Sequence, residues 1–123
     1  MTDWRKLARG ARLRVEGDEL LVELPLLRSH SVKIYEEGDH LRLRGIVATP
    51  SRIQDIDAET RRAWEANRRV SLVGFRIDHR DRLVGECIVP LAGLDADELA
   101  LCVRAVAEEC DRYEYLLTGK DVY

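Results

Sequence analysis

The sequence predicts an α+β fold: one twisted antiparallel sheet of about five to six strands in meander hairpins, with helices packed mainly on one face. Three observations predict it. Apolar and polar residues alternate at the strand period of two in several short segments. Those segments are joined by connections too short for a crossover helix, so neighbouring strands pair antiparallel. A long stretch near the C-terminus carries apolar residues at three- and four-residue steps, the period of a helix.

The elements follow in order. Asp3 can cap a two-turn helix with Trp4, Leu7 and Ala8 on one side, stopped by Gly10; so short a helix needs packing to persist. Leu13 and Val15 alternate with Arg12, Arg14 and Glu16, and Gly17-Asp18 turns the chain into Leu20, Val22 and Leu24, a hairpin pattern. Pro25 ends that strand, and Leu26 to Ser29 reads as a connection. Val32 and Ile34 begin a third strand, Glu36 to Asp39 form a charged turn, and Leu41, Leu43 and Val47 mark a fourth. Thr49-Pro50-Ser51 breaks the strands. Ser51 with Gln54, or Asp57 with Thr60, is the expected cap of a helix carrying Ile53, Ile56, Ala63 and Trp64.

The best-specified part runs from Val70 to Leu117. Val73, Phe75 and Ile77 share one strand face; Val70, Leu72, Gly74 and Arg76 lie near or on the other. The return strand is apolar on both faces as well, which suggests a central hairpin or a second surface that a partner covers. His79 to Arg82 is a polar turn without glycine, and Pro90 ends the return strand. Asp95 with Glu98 forms a capping-box pattern. Leu99, Cys102, Val103, Val106, Cys110, Tyr113 and Leu117 then make one apolar stripe, with Gly119 as its stop. At ~1.5–3 kcal/mol per buried large side chain, this stripe is the largest stabilising block in the chain. It reads as core rather than as a cofactor site.

Composition narrows the function classes. A chain of 123 residues, 46% hydrophobic and 35% charged, can build one core, so residues 1–123 are expected to form one unit. No apolar run approaches membrane-spanning length, and the N-terminus lacks a signal-like apolar region, so a cytoplasmic location is the default and no membrane partner is expected. Cys87, Cys102 and Cys110 are odd in number and form no CxxC pair, which argues against a disulfide framework or a zinc site. The net charge is −3, divided between an N-terminal part with excess arginine and an acidic C-terminal part.

No phosphate-loop, dinucleotide, metalloprotease, nucleophile-elbow or EF-hand pattern occurs. His30, His40 and His79 each fall beside an expected turn. Ser29-His30-Ser31 is a poor nucleophile–base pair, because strand neighbours point to opposite faces. Asp78, His79 and Asp81 read as a solvated hairpin tip. No pattern gives two carboxylates a shared buried site. No catalytic residue, cofactor or metal is therefore expected.

From about Ile53 to Leu117 the order is helix, asparagine, aromatic-bearing strand, polar turn, strand, proline and a helix opening D-A-D-E-L. Asn67, Pro90 and the Asp95–Leu99 helix start carry that order, which resembles the YbjN-like family and the type III secretion chaperone-like domains related to it. Those domains usually open with a substantial helix, whereas this chain offers only Thr2–Arg9 and an additional hairpin. The resemblance implies a homodimer built around the middle helix and the strand after it, with protein binding in place of catalysis.

The leading expectation is a dimeric, non-enzymatic module that binds an unknown protein client. Trp64, Val70, Leu72 and Arg76 form its candidate dimer or partner interface. One alternative is a nucleic-acid-associated module using Arg5, Arg9, Arg12, Arg14, Arg61, Arg62, Arg68 and Arg69; it requires those arginines to converge and is disfavoured. A weaker alternative is a small-molecule sensor with its pocket between helix and sheet.

Overall fold

The computed structural model describes residues 3–8, 12–68 and 72–118. Strands β1 (Leu13–Glu16), β2 (Glu19–Leu24), β3 (Arg28–Glu37), β4 (His40–Ala48), β5 (Gly74–Ile77) and β6 (Leu83–Pro90) form one antiparallel sheet in the order β1-β2-β3-β4-β6-β5. The helices are α1 (Trp4–Leu7), α2 (Ile56–Ala66) and α3 (Ala96–Thr118), with a 3₁₀ turn at Pro50–Arg52. The expected α+β class and meander hairpins are present. The central hairpin is not: β6 pairs with β4, and β5 is the sheet edge. Four residues long, with exposed Gly74 and Arg76, β5 suits an edge, whereas β6 is buried at Leu83, Val84, Gly85, Cys87 and Val89.

Helix α3 packs across β2, β3, β4 and β6. Its stripe buries Leu99, Val103, Val106, Ala107 and Cys110 completely, while Cys102, Tyr113 and Leu117 are half-buried. Asp95 caps it, accepting the amide of Glu98 at 2.8 Å. Cys110 sits close over the register partners Gly45 and Gly85. A Cβ at Gly85 would fall 2.5 Å from Cys110 Sγ and 3.0 Å from Phe75, and one at Gly45 would fall 2.8 Å from the same sulfur. Only glycine at both positions lets the helix sit this near the sheet. Trp4 buries its ring in the same core, and α1 touches α3. That packing supports a helix too short to stand alone.

Phe75 and Tyr113 pack with ring centroids 5.0 Å apart, joining β5 to α3 as the shared face of Val73, Phe75 and Ile77 requires. Tyr113 also donates to Glu59 of α2 at 3.4 Å. Asn67, the C-cap of α2, stitches that helix to the edge strand. Its amide oxygen accepts from the Phe75 N–H at 2.6 Å, and its amide nitrogen donates to the Phe75 carbonyl at 2.8 Å. The side chain thus reproduces one rung of a β-ladder and occupies the outward-facing groups of Phe75.

Local details depart from expectation in physical ways. The cap of α2 is Asp55, whose carboxylate accepts from the amides of Asp57 and Ala58; Ser51 belongs to the 3₁₀ turn, and Asp57 lies in the first helical turn. Strand β3 begins at Arg28, so Arg28–Ser31 is strand and the connection shrinks to Pro25–Leu27. His30 therefore lies within a strand, not beside a turn. The β5–β6 turn needs no glycine because buried Asp78 organises it, accepting the amides of Arg80 and Arg82 at 2.9 Å each and the Arg82 guanidinium at 2.9 Å. Asp81 takes the left-handed position with φ 58°, which aspartate tolerates. Asp78 is a structural cap rather than part of a solvated tip. Val70 and Gly119 lie outside the described residues.

If Cys110 occupies the space the two glycines leave, the positions are coupled. Gly45→Ala is expected to cost about 1–3 kcal/mol through overpacking, and Cys110→Ala about 1–2 kcal/mol through lost packing. The double variant should be less unstable than the sum, because removing the sulfur makes room for the new methyl group. Urea unfolding of the four proteins checks this; strict additivity would contradict it.

Candidate functional site

All the described helices that pack on the sheet interior do so from one side, and the opposite face of the sheet is open. Residues at alternate strand positions line it: Glu19 and Leu21 of β2; Ser29, Ser31, Lys33, Tyr35 and Glu37 of β3; Arg42, Arg44 and Ile46 of β4; and Glu86 and Ile88 of β6. Glu86 is the hub. Its carboxylate receives Arg44 at 2.6 Å, Arg76 at 2.6 Å and Arg42 at 3.6 Å. Glu37 holds Arg42 from the other side at 2.6 Å. Arg44 is buried, yet its charge is compensated, which makes the burial affordable. Burial pushes the Glu86 carboxyl up, but hydrogen bonds from Arg76 and Arg44 outweigh it and hold the group below its ordinary value of 4.5. The Arg42 hydrogen bond likewise holds Glu37 low.

Two of the concavities on this face share Arg42 in their lining. A trough of about 790 Å³ crosses β2, β3 and β4 and is walled by the β5–β6 turn at His79, Arg80 and Arg82. Beside it lies a shallower depression of about 560 Å³, where Leu72, Gly74 and Arg76 meet Glu86 and Ile88. Leu72 and Arg76 of the sequence-derived interface are therefore brought together. Trp64 is not among the residues lining that depression; it stands on α2, 62% exposed, with the Arg68 guanidinium 5.4 Å from its ring centre. Ile88, 63% exposed, belongs with Leu72 and was missed. The alternation along β6 already placed it on the face of Glu86.

The expectation that no two carboxylates share a buried site is overturned. Asp111 and Glu114 of α3 are both buried beside His30 of β3, their ligand-type atoms within 4.8 Å of one another. Their spacing of three puts them on the core side of α3, just beyond Cys110. His30 donates from Nε2 to the Ile46 carbonyl at 2.9 Å, and Arg28 pairs with Asp111 at 3.1 Å. The Arg28 guanidinium supplies the positive charge that a cation would otherwise bring, so the group reads as an internal ionic network. Ser29 and Ser31 point to the open face, away from His30, and form no pair with it.

Cys87 and Cys110 give no nucleophile. All three cysteines are free thiols. Burial, and then neighbouring Cys102, push Cys87 up to about 12. Burial also pushes Cys110 strongly upward. Neither is a thiolate at neutral pH.

The arginines of the nucleic-acid alternative do not converge. Arg5, bonded to the Gly17 carbonyl, lies with Arg12 and Arg14 at the β1 edge, whereas Arg61 and Arg62 of α2, and Arg68 just past its cap, lie beside β5 at the far edge. Five strand spacings, about 24 Å, separate the two edges. Arg9 and Arg69 lie outside the described residues.

The model of the YbjN family, described as "Putative bacterial sensory transduction regulator", matches residues 28–117. The chain belongs to the YbjN family. The YbjN match opens at the first residue of β3 and closes in α3, so α1, β1 and β2 lie outside it. A search of curated proteins finds no match. Among solved structures, a chain of the HopA1–SchA chaperone–effector complex superimposes with a TM-score of 0.51 at 11% identity, covering 94% of this chain and 87% of that one. The YbjN chain thus shares its fold with a chain of a chaperone–effector complex. Among the described residues, no helix is long and apolar enough to cross a membrane.

The ionic hub sets an acid dependence. Because folding lowers the Glu86 carboxyl below 4.5, its stabilisation is complete above that pH and is lost as pH falls through the folded value. Glu86→Gln leaves Arg44 buried without its counter-charge and is expected to cost about 2 kcal/mol at neutral pH. It should also flatten the loss of stability in acid. Urea unfolding across the acid range tests both; an unchanged slope would remove Glu86 from the account.

Proposed function

We propose that this YbjN protein is a non-enzymatic, chaperone-like binding module that acts as a homodimer in the cytoplasm and holds a partner polypeptide. The observation that carries the reading is the uncovered sheet face at the β5 edge, where exposed Leu72 and Ile88 flank the rigid Arg76–Glu86 pair. Grouped apolar side chains beside fixed charges suit a protein surface, which desolvates the first and matches the second. The fold supports the reading, since a chain of a chaperone–effector complex shares it. The chemistry supports it too: the Cys87 and Cys110 thiols are held protonated, and the buried histidine, carboxylates and Arg28 are engaged within one network.

Trp64, Val70, Leu72 and Arg76 are the proposed dimer contacts, with Ile88 added. Asn67 limits how a second copy can dock. With the outward groups of Phe75 already occupied, the partner covers side chains instead of continuing the sheet at that position.

Light scattering on an eluting size-exclusion peak tests this. The wild type is expected at twice the monomer mass at micromolar concentration. Leu72→Glu should run as a monomer with thermal stability little changed, because Leu72 is 47% exposed. A monomeric wild type, or a Leu72→Glu protein that stays dimeric, would contradict the proposed interface.

A further inference from the structure

The trough beside the proposed dimer surface has a charge sign opposite to that of the molecule. The chain carries a net charge of −3, yet the trough is lined by Lys33, Arg42, Arg44, Arg80 and Arg82 against Glu19 and Glu37. Glu86 and Asp78 lie behind it as counter-ions of Arg44 and Arg82. Lys33 and Arg80 are less committed. The nearest ion-pair partner of Lys33 is exposed Asp18 at 3.6 Å, a pairing worth little in water. Arg80 is exposed and makes no ion pair among the described residues.

The floor of the trough is a row of charges across four strands. Glu19 of β2 faces Lys33 of β3, Lys33 faces Arg44 of β4, and Arg44 faces Glu86 of β6. Tyr35 lies beside both cations, with Lys33 Nζ 5.2 Å and Arg44 Cζ 5.0 Å from its ring centre. Glu86 takes up the charge of Arg44, so Lys33 and Arg80 are the cations left to meet an incoming carboxylate.

The remaining lining indicates what carries that carboxylate. Leu21 and Ile46 are aliphatic, Ser29 and Ser31 offer hydroxyls, and the cations come from three separate elements, with Arg42 and Arg44 about 7 Å apart along β4. A small anion needs donors converging on one point, which this is not. A continuous phosphate backbone would meet Glu19 and Glu37 as well as the cations. A peptide that alternates acidic and apolar side chains fits both parts of the surface.

We propose that this trough seats an acidic, extended segment of a partner polypeptide, its carboxylates on Lys33 and Arg80 and its apolar side chains on Leu21 and Ile46. The proposal rests on the protein-binding reading above and specifies the partner's chemistry. A segment crossing β2 to β4 and the turn covers about 15–20 Å, or about five to six extended residues.

Fluorescence anisotropy with the full chain tests it. The probe is a labelled synthetic peptide of about eight residues alternating glutamate with leucine and threonine. The comparators are the same peptide with lysine for glutamate and a short single-stranded oligonucleotide. The acidic peptide is expected to bind, to weaken as salt is raised, and to lose about three- to tenfold in affinity on Lys33→Gln or Arg80→Gln. Lys33→Gln should meanwhile melt close to wild type, since its ion pair with Asp18 is exposed and worth little. A merely structural lysine would lower the melting temperature and leave binding alone. Absence of acidic-peptide binding, equal binding of the lysine peptide, or tighter binding of the oligonucleotide would each overturn the proposal. A protein that still dimerises while rejecting the acidic peptide would sink this inference and leave the dimer standing.

Discussion

The approach of Cys110 to the Gly45–Gly85 pair is the contact on which the arrangement depends. It fixes how near α3 lies to β4 and β6, because a methyl group at either glycine would meet the sulfur. That separation brings the next turn of α3 over β3, where Asp111 and Glu114 meet His30 and Arg28. It also lets Tyr113 reach Phe75 of the edge strand and Glu59 of α2. One close contact thus gathers a large core, a buried ionic group and the second helix on the same side of the sheet.

The consequence is a sheet with a face of its own. The strands there cannot rely on a helix for cover, so their side chains satisfy one another through Glu86, Glu37 and the arginines around them. Charged pairs in this setting add modestly to stability, but they hold the guanidinium groups in fixed positions. A fixed, charged and partly aliphatic surface suits recognition. The proposed dimer and the proposed acidic partner occupy adjoining parts of it, Leu72 with Ile88 and Lys33 with Arg80.

Much of the fold was legible because periodicity reports burial. The stripe from Leu99 to Leu117, the face of Val73, Phe75 and Ile77, and the Asp95 cap follow from the helix and strand repeats alone. Asn67 was legible as a marker of the family, but its hydrogen bonds to Phe75 depend on where α2 ends relative to β5. The edge position of β5 was hidden, since strand order depends on long-range pairing that short turns do not encode. The buried group of His30, Asp111 and Glu114 was hidden for a related reason: its members lie about eighty residues apart in the chain, and only the docking of α3 joins them. Leu72 and Arg76 line one depression with Ile88, which the alternation along β6 sets on the face of Glu86.

The central claim is that the sheet and α3 form one cooperative block. Hydrogen–deuterium exchange followed by mass spectrometry under native conditions tests it most directly. Amides of β4, β6 and α3 from Leu99 to Glu114 are expected to exchange together, at the rate set by global unfolding. Helix α3 exchanging well before β4 and β6 would mean that the sheet persists without it, which the account does not allow.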